Sequence, residues 1–254
     1  MKAFKLIFSG GGTGGHIYPA LAIAKGIKNI KPDTNILFVG AIDKMEMKLV
    51  PKADFKIKGL WISGFQRSLS LQNLLFPFKV FISLLQSLFI LLRFNPDAVI
   101  GTGGFASWPL LQVAQWLDYP TLIQEQNSFP GIANRILGKK ANRVCVAYEK
   151  MEHYFPLYKL RLTGNPIRFN MLSSAITTGA AKSFFGLDPQ KPTLVVIGGS
   201  LGAKRINELV AKELFFFKTH DFQILWQCGE LYFNKYKTLS CPAVSYTHLR
   251  AHET

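Results

Sequence analysis

Three times in this chain a short apolar run leads into a glycine-rich turn and then into a stretch with helical character. The first turn is SGGGTGGH, Ser9 to His16, between Ala3–Phe8 and Ile17–Ala24. The second, Gly101-Thr-Gly-Gly-Phe105, follows Asp97–Ile100 and precedes Ala106–Leu117. The third, Gly198-Gly-Ser-Leu-Gly-Ala203, follows Thr193–Ile197 and precedes Lys204–Phe217. Strand, glycine turn and helix in that order point backbone N–H groups out of a helix N-terminus, which suits phosphate-bearing ligands. One such turn is a weak signal, but three in the same strand-to-helix setting constrain the fold.

Apolar runs rich in Ile, Val, Leu and Phe recur at Ala3–Ser9, Asn35–Gly40, Phe55–Ile57, Ala98–Gly101, Thr121–Gln124, Arg143–Ala147, Thr193–Gly198 and Gln223–Gln227. Helix-like stretches separate most of them. This is the alternation of a parallel sheet covered on both faces, so the expected class is α/β, doubly wound. The alternation pauses at Leu162-Thr-Gly-Asn-Pro-Ile-Arg168 and in the small, polar residues up to Gly179, as at an interdomain connection. The expected domains are residues 1–163, a partial second domain over 164–242, and a tail over 243–254 that does not continue the pattern. After Pro189 only about two strands and one clear helix are expected, too few for a complete doubly wound sheet. The last residues, Ser245–Thr254, read as a non-native extension, and His248 and His252 within it as no metal site.

With 254 residues, 48% of them hydrophobic, the chain has ample material for a core. Its formal charge of +15 attracts polyanions of any kind: nucleic acid, anionic lipid headgroups or diphosphates. The basic residues are scattered rather than gathered on one helix or strand pair, and no nucleic-acid-binding signature occurs, so no nucleic-acid partner is expected. Cys145, Cys228 and Cys241 have neither the number nor the spacing of a disulfide framework or a zinc site, which fits a reducing cytosol. A strand is expected within a few residues of Met1, leaving no room for a secretory leader.

The segment Leu71–Phe94 is nearly long enough to span a bilayer, yet Pro77, Lys79, Gln86 and Arg93 interrupt it, so no transmembrane span is expected. Lys79, Ser83, Gln86, Ser87 and Arg93 give a narrow polar stripe at helical spacing. Two readings stand: a helix buried deep against the sheet, or one whose apolar face lies on a membrane surface near Arg67, Lys79 and Arg93.

The first turn also contains the dinucleotide fingerprint, Gly10-x-Gly12-x-x-Gly15. A dinucleotide site needs a ribose-binding acid at the end of the second strand; Asn35–Gly40 ends in glycine, with Asp43 beyond it. His16 instead opens the helix. A helix N-terminus favours the neutral imidazole, able to accept a proton, and a merely packed or capping histidine is the alternative. Gln124-Glu-Gln-Asn127 ends the fifth strand, at the sheet edge where open α/β folds bind ligands. Glu125 there reads equally as a functional group or as a loop anchor. Arg168 is placed to reach a phosphate, or is an ordinary surface arginine.

Taken in order, Gly-Gly-Thr-Gly-Gly-His16, Gly-Thr-Gly-Gly-Phe105, Glu-Gln-Asn127, Gly-Asn-Pro-Ile-Arg168 and Gly-Gly-Ser-Leu-Gly-Ala203 resemble the MurG family over roughly Met1–Gln227. These are UDP-N-acetylglucosamine transferases that convert lipid I to lipid II in peptidoglycan synthesis. The resemblance implies a GT-B architecture, inverting transfer with no cofactor and no catalytic metal, and work at the cytoplasmic face of the plasma membrane. By the same resemblance Thr13, Gly14, Gly15, Asn127, Arg168 and Ser200 match positions that contact the donor. Gly103, Gly104 and Phe105 match those that help hold the acceptor diphosphate, Glu125 lies in the matching Glu-Gln-Asn motif, and His16 becomes the candidate base. Ser107-Trp-Pro109 departs from the small residues expected after the second turn, and the later half of the family's donor domain has no counterpart. The implied partners are UDP-N-acetylglucosamine, lipid I and an anionic membrane surface. Another GT-B nucleotide-sugar transferase is the alternative, and a basic nucleic-acid-binding protein a more distant one.

Overall fold

The computed structural model describes residues 3–64, 75–167, 176–199 and 202–239, with the backbone of 244–247. Arg67, Arg168, Ser200, Cys241, His248 and His252 lie outside the described residues. The chain divides into two compact units, residues 1–173 and 174–254, later than the break expected after Thr163.

The first unit is an all-parallel seven-stranded sheet. Its strands are β1 (Lys5–Gly10), β2 (Asn35–Ala41), β3 (Lys56–Leu60), β4 (Ala98–Gly103), β5 (Thr121–Glu125), β6 (Arg143–Val146) and β7 (Leu160–Leu162), in the order β3-β2-β1-β4-β5-β6-β7. Between them run α1 (Gly14–Ile30), α2 (Glu46–Lys52), α3 (Phe76–Phe94), α4 (Ser107–Trp116) and α5 (Ile132–Gly138). Successive strand residues supply opposite faces. Ile7 and Leu37 join a core that includes Leu91, Leu110 and Leu137 from α3, α4 and α5. Phe8 and Phe38 join another with Ile17 and Ala24 of α1 and Val50 of α2. With both faces covered, the strands read as unbroken apolar runs rather than as alternation.

Two local differences from the sequence reading have simple causes. β3 runs on to Leu60, past the expected Ile57, because alternate residues of Lys56–Leu60 face solvent and break the apolar run. β7 was not expected at all: it is a three-residue edge strand with Arg161 and Leu162 exposed, and so carries no burial signal.

Of the two readings open for this segment, α3 does not fit the deeply buried one. Among its residues only Ser83, Ser87, Ile90 and Leu91 are fully buried, while Phe78, Phe81 and Phe89 are 55%, 57% and 60% exposed. Its hydroxyls face inward, against α4, and are satisfied by the helix's own carbonyls: Ser83 Oγ donates to Val80 O at 2.8 Å and Ser87 Oγ to Ser83 O at 2.7 Å. Part of the expected polar stripe is thus the packed side. The 19-residue helix is long and apolar enough to cross a membrane, but it packs on α4 and β3 of the sheet's own layer.

The second unit holds β8 (Thr193–Ile197), β9 (Gln223–Gln227) and β10 (Val244–Thr247), parallel and ordered β10-β9-β8, with α6 (Thr178–Phe184), α7 (Lys204–Lys212), α8 (Leu214–Thr219) and α9 (Glu230–Tyr236). Its core is small: Val210, Ile224, Trp226, Cys228 and Tyr236. Three strands and several helices therefore follow Pro189, rather than two strands and one helix. The single helix expected from Lys204 to Phe217 is two, divided at Glu213, whose φ of −96° and ψ of 10° leave the α region. β10 also falls inside the stretch expected to be a non-native tail, pairing Val244 with Ile224 and Thr247 with Gln227.

Candidate active site

Strands β1 and β4 lie side by side, yet the chain leaves them in opposite directions, from β1 toward β2 and from β4 toward β5. At such a reversal the helices after the two strands fall on opposite faces and leave a crevice at the strands' carboxyl ends, where ligands of open α/β sheets bind. The first two glycine turns occupy this place.

The turns interlock. The register of β1 and β4 shifts after Ser9 so that Gly10 faces Gly103, and Gly11 N donates to Gly103 O at 3.3 Å. Gly104 has φ of +83°, and a Cβ there would overlap the Gly11 carbonyl oxygen. Only glycine meets both demands. Phe105 closes the rim, its ring 2.8 Å from where a Gly12 Cβ would stand.

His16 is the third residue of α1, half-buried over this junction. Its Nδ1 lies 3.1 Å from Thr102 O and 3.2 Å from Gln126 Oε1. The amide of Gln126 is oriented by its other end: Nε2 donates to Thr102 O at 2.8 Å, to Gln124 O at 3.1 Å and to Gln124 Oε1. Both neighbours of Nδ1 are therefore acceptors, so in the neutral ring the proton sits on Nδ1 and Nε2 keeps its lone pair. Of the other residues matched in the first turn, Thr13 is the N-cap of α1, and Gly14 and Gly15 begin the helix. Their N–H groups belong to the first turn, where no intrahelical acceptor exists.

Glu125, at the end of β5, is buried, and both its oxygens are engaged within the chain. Oε1 accepts from Asn127 N at 3.0 Å and Asn127 Nδ2 at 3.1 Å; Oε2 accepts from Gly131 N at 3.2 Å and Asn134 Nδ2 at 2.9 Å. Of the two readings left open by sequence, the loop anchor is the one this geometry describes. Asn127 is exposed beside it, its amide nitrogen directed at the carboxylate.

Sequence reasoning missed Glu46. It sits in the first turn of α2, completely buried, with Oε1 accepting from Ala41 N at 2.9 Å and Oε2 from Gly12 N at 3.1 Å. Its side chain fills the space that Cβ atoms on Gly11 and Gly40 would need. Asp43 stands just past β2, but the acid that reaches the crevice lies one turn further on and faces the glycine turn. Gln126 was also passed over, although it stands in the quoted Glu-Gln-Asn motif.

A cavity of about 530 Å³ opens beside His16, lined by Gly103, Gly104 and Phe105 from the second turn, Phe76 and Val80 from α3, and Ile132 and Asn134 from α5, among others. Among the described residues no group of three or more His, Cys, Asp or Glu is placed to hold a metal ion.

A parallel sheet with a phosphate-competent crevice at its topological switch, followed by a second parallel unit built on the same device, is the architecture of GT-B glycosyltransferases. The chain belongs to glycosyltransferase family 28: the family's N-terminal domain matches residues 6–146 and its C-terminal domain residues 193–249. The second match covers β10 as well, and so runs beyond the expected limit at residue 242. Among curated relatives, the UDP-N-acetylglucosamine–N-acetylmuramyl-(pentapeptide) pyrophosphoryl-undecaprenol N-acetylglucosamine transferase of Flavobacterium psychrophilum is 55% identical over 94% of this chain. The protein of the same name from Christiangramia forsetii is 53% identical over 93%. The chain spans 65% and 64% of the length of these two relatives. The crystal structure of Acinetobacter baumannii MurG matches 96% of the chain with a TM-score of 0.67 at 26% identity, and covers 65% of that protein. A UDP-GlcNAc 2-epimerase from Methanocaldococcus jannaschii, 13% identical with a TM-score of 0.65, shares the fold alone.

Proposed function

We propose that this chain carries the acceptor half, and part of the donor half, of an enzyme that transfers N-acetylglucosamine from UDP-N-acetylglucosamine to lipid I, with inversion, to give lipid II. The observation that carries this reading is the placement of His16 beside the cavity, with Nδ1 facing two acceptor oxygens, Thr102 O and Gln126 Oε1, so that Nε2 is the nitrogen left to take a proton. The relatives' printed name supplies donor and acceptor.

In this reading Nε2 takes the proton of the acceptor hydroxyl as its oxygen forms a bond to the sugar's anomeric carbon. The bond from that carbon to the diphosphate breaks with its electron pair, and UDP leaves. Helix N-termini stabilise the phosphate charge. The glycine turn of α1, with Thr13, Gly14 and Gly15, and the residues Asn127, Arg168 and Ser200 are assigned to the donor. Gly103, Gly104 and Phe105 are assigned to the acceptor diphosphate, and Glu125 to holding the loop that carries Asn127.

The enzyme works on the cytoplasmic face of the plasma membrane without spanning it. The outward phenylalanines of α3 support this, together with the aromatic and basic group beside them. Trp61 packs edge-on against Phe78 at 5.9 Å, and Lys79 Nζ lies 5.8 Å from the Trp61 ring.

The test is His16→Ala in a protein extended to the full length of its relatives. Loss of a general base costs about 10²- to 10⁴-fold in kcat. A folded variant within threefold of the parent overturns the base assignment.

A further inference from the structure

Resting on the reading that the acceptor is a lipid-linked diphosphate, we propose that the cavity beside His16 seats the first part of the lipid chain, the isoprenoid carbons next to the diphosphate, and not the sugar. At about 530 Å³ it falls within the range of about 300–1,000 Å³ of small-molecule sites. Its walls are hydrocarbon: Ile62, Phe76, Val80, Phe105, Ile132 and Ile136.

The polar groups that reach it are almost all in use. Glu125 takes four donors, Asn134 Nδ2 donates to Gln124 O and to Glu125, and Ser63 Oγ accepts from Lys79 Nζ at 3.2 Å. Asn134 Oδ1 and Trp108 Nε1 have no partner, but both atoms are inaccessible to water and so to a hydroxyl in the cavity. A sugar ring placed here would give up hydrogen bonds to water and recover few of them, at about 1–3 kcal/mol for each group left unpaired. A hydrocarbon loses nothing.

The surroundings supply both ends of such a ligand. On one side are the glycine turns and His16, where a diphosphate and the reacting hydroxyl belong. On the other, the cavity wall continues outward along α3 to Phe78 and Phe81 and along α5 to Ile132 and Ile136, all four exposed. Lys79, tethered to Ser63 on the cavity wall, adds a positive charge near the point where an anionic group meets the chain. The cavity is thus continuous with the apolar surface assigned to the membrane, and a lipid passing from bilayer to crevice stays covered.

The experiment is calorimetric titration of the 254-residue chain with inorganic diphosphate and with farnesyl diphosphate, which has the same anion on a short isoprenoid and no sugar. Farnesyl diphosphate is expected to bind at least about tenfold more tightly. Ala133→Trp, which fills the cavity from α5, and Ile136→Ser, which removes part of its wall from a half-exposed position, should shrink that preference; thermal melts confirm folding. Equal affinity for the two probes overturns the lipid seat and leaves the diphosphate reading standing. A preference that survives in both folded variants overturns its location. No binding of either probe overturns the acceptor reading on which the seat rests.

Discussion

Glu46 shows how much a single side chain fixes at this crevice. Its two oxygens hold Ala41 N and Gly12 N, while the carboxylate itself occupies the room that Gly11 leaves free and its Cγ methylene that of Gly40. Glu46→Gln keeps the volume but, with one oxygen replaced by a donor, leaves one of these buried N–H groups facing another N–H. An unpaired buried group costs about 1–3 kcal/mol. Urea titration should show a loss in that range, and full-length transfer should fall in kcat more than it rises in KM, because the turn that aims His16 is loosened. A parent-like midpoint and kcat would show that the carboxylate holds nothing of consequence. His16 was legible in sequence because a strand, a glycine turn and a helix fix where the next side chain goes. Glu46 was not, because no local pattern says that an acid opening the second helix turns back toward the first loop. Glu125 stood between, legible as important and open as to why, until its four donors were seen.

At the scale of elements, the glycine turns, six of the seven strands of the first sheet and most of the helices between them follow directly from the apolar periodicity. The failures share one cause: β7 and the end of β3 lie at the two edges of the sheet, where burial no longer writes a pattern into the residues. For α3 the sequence shows the period and leaves open which side is packed. Serines satisfied by their own helix pack as small apolar residues do, so they mark the close contact with α4 rather than the solvent side. The outward stripe of Phe78, Phe81 and Phe89 beside Lys79 predicts binding to vesicles that rises with anionic lipid and falls with salt. Replacing Phe78 and Phe81 by Ser together with Lys79 by Glu should reduce the bound fraction by about tenfold or more, since each basic group near the surface contributes about 1 kcal/mol. A folded variant that co-sediments like its parent would place the membrane contact elsewhere.

For the whole molecule, the two units are unequal. The first has a seven-stranded sheet with a core on each face; the second has three strands, five residues at the heart of its core, and an edge strand, β8, on which Val195 and Ile197 are exposed. Local stability follows buried apolar contact, and exposed apolar edge strands invite association. Native-state hydrogen exchange of the 254-residue chain should therefore separate β1, β2, β4 and β5, strongly protected, from β8 and β9, weakly protected. The chain should also self-associate at high concentration. Uniform protection across both units in a monomer would contradict this. No sugar transfer is expected from the chain by itself, which spans 65% of the length of its Flavobacterium relative.

The outward apolar face of α3 has a consequence for how this surface changes over generations. Its outer phenylalanines are not needed to hold the fold, so that face is free to drift among apolar residues, and selection acts on their sum rather than on any one of them. Ser83 and Ser87, completely buried against α4, have no such freedom. In a library randomised at all these positions, survivors should be diverse on the outside of the helix and confined to the smallest side chains on the inside, the reverse of what is usual for a helix in water.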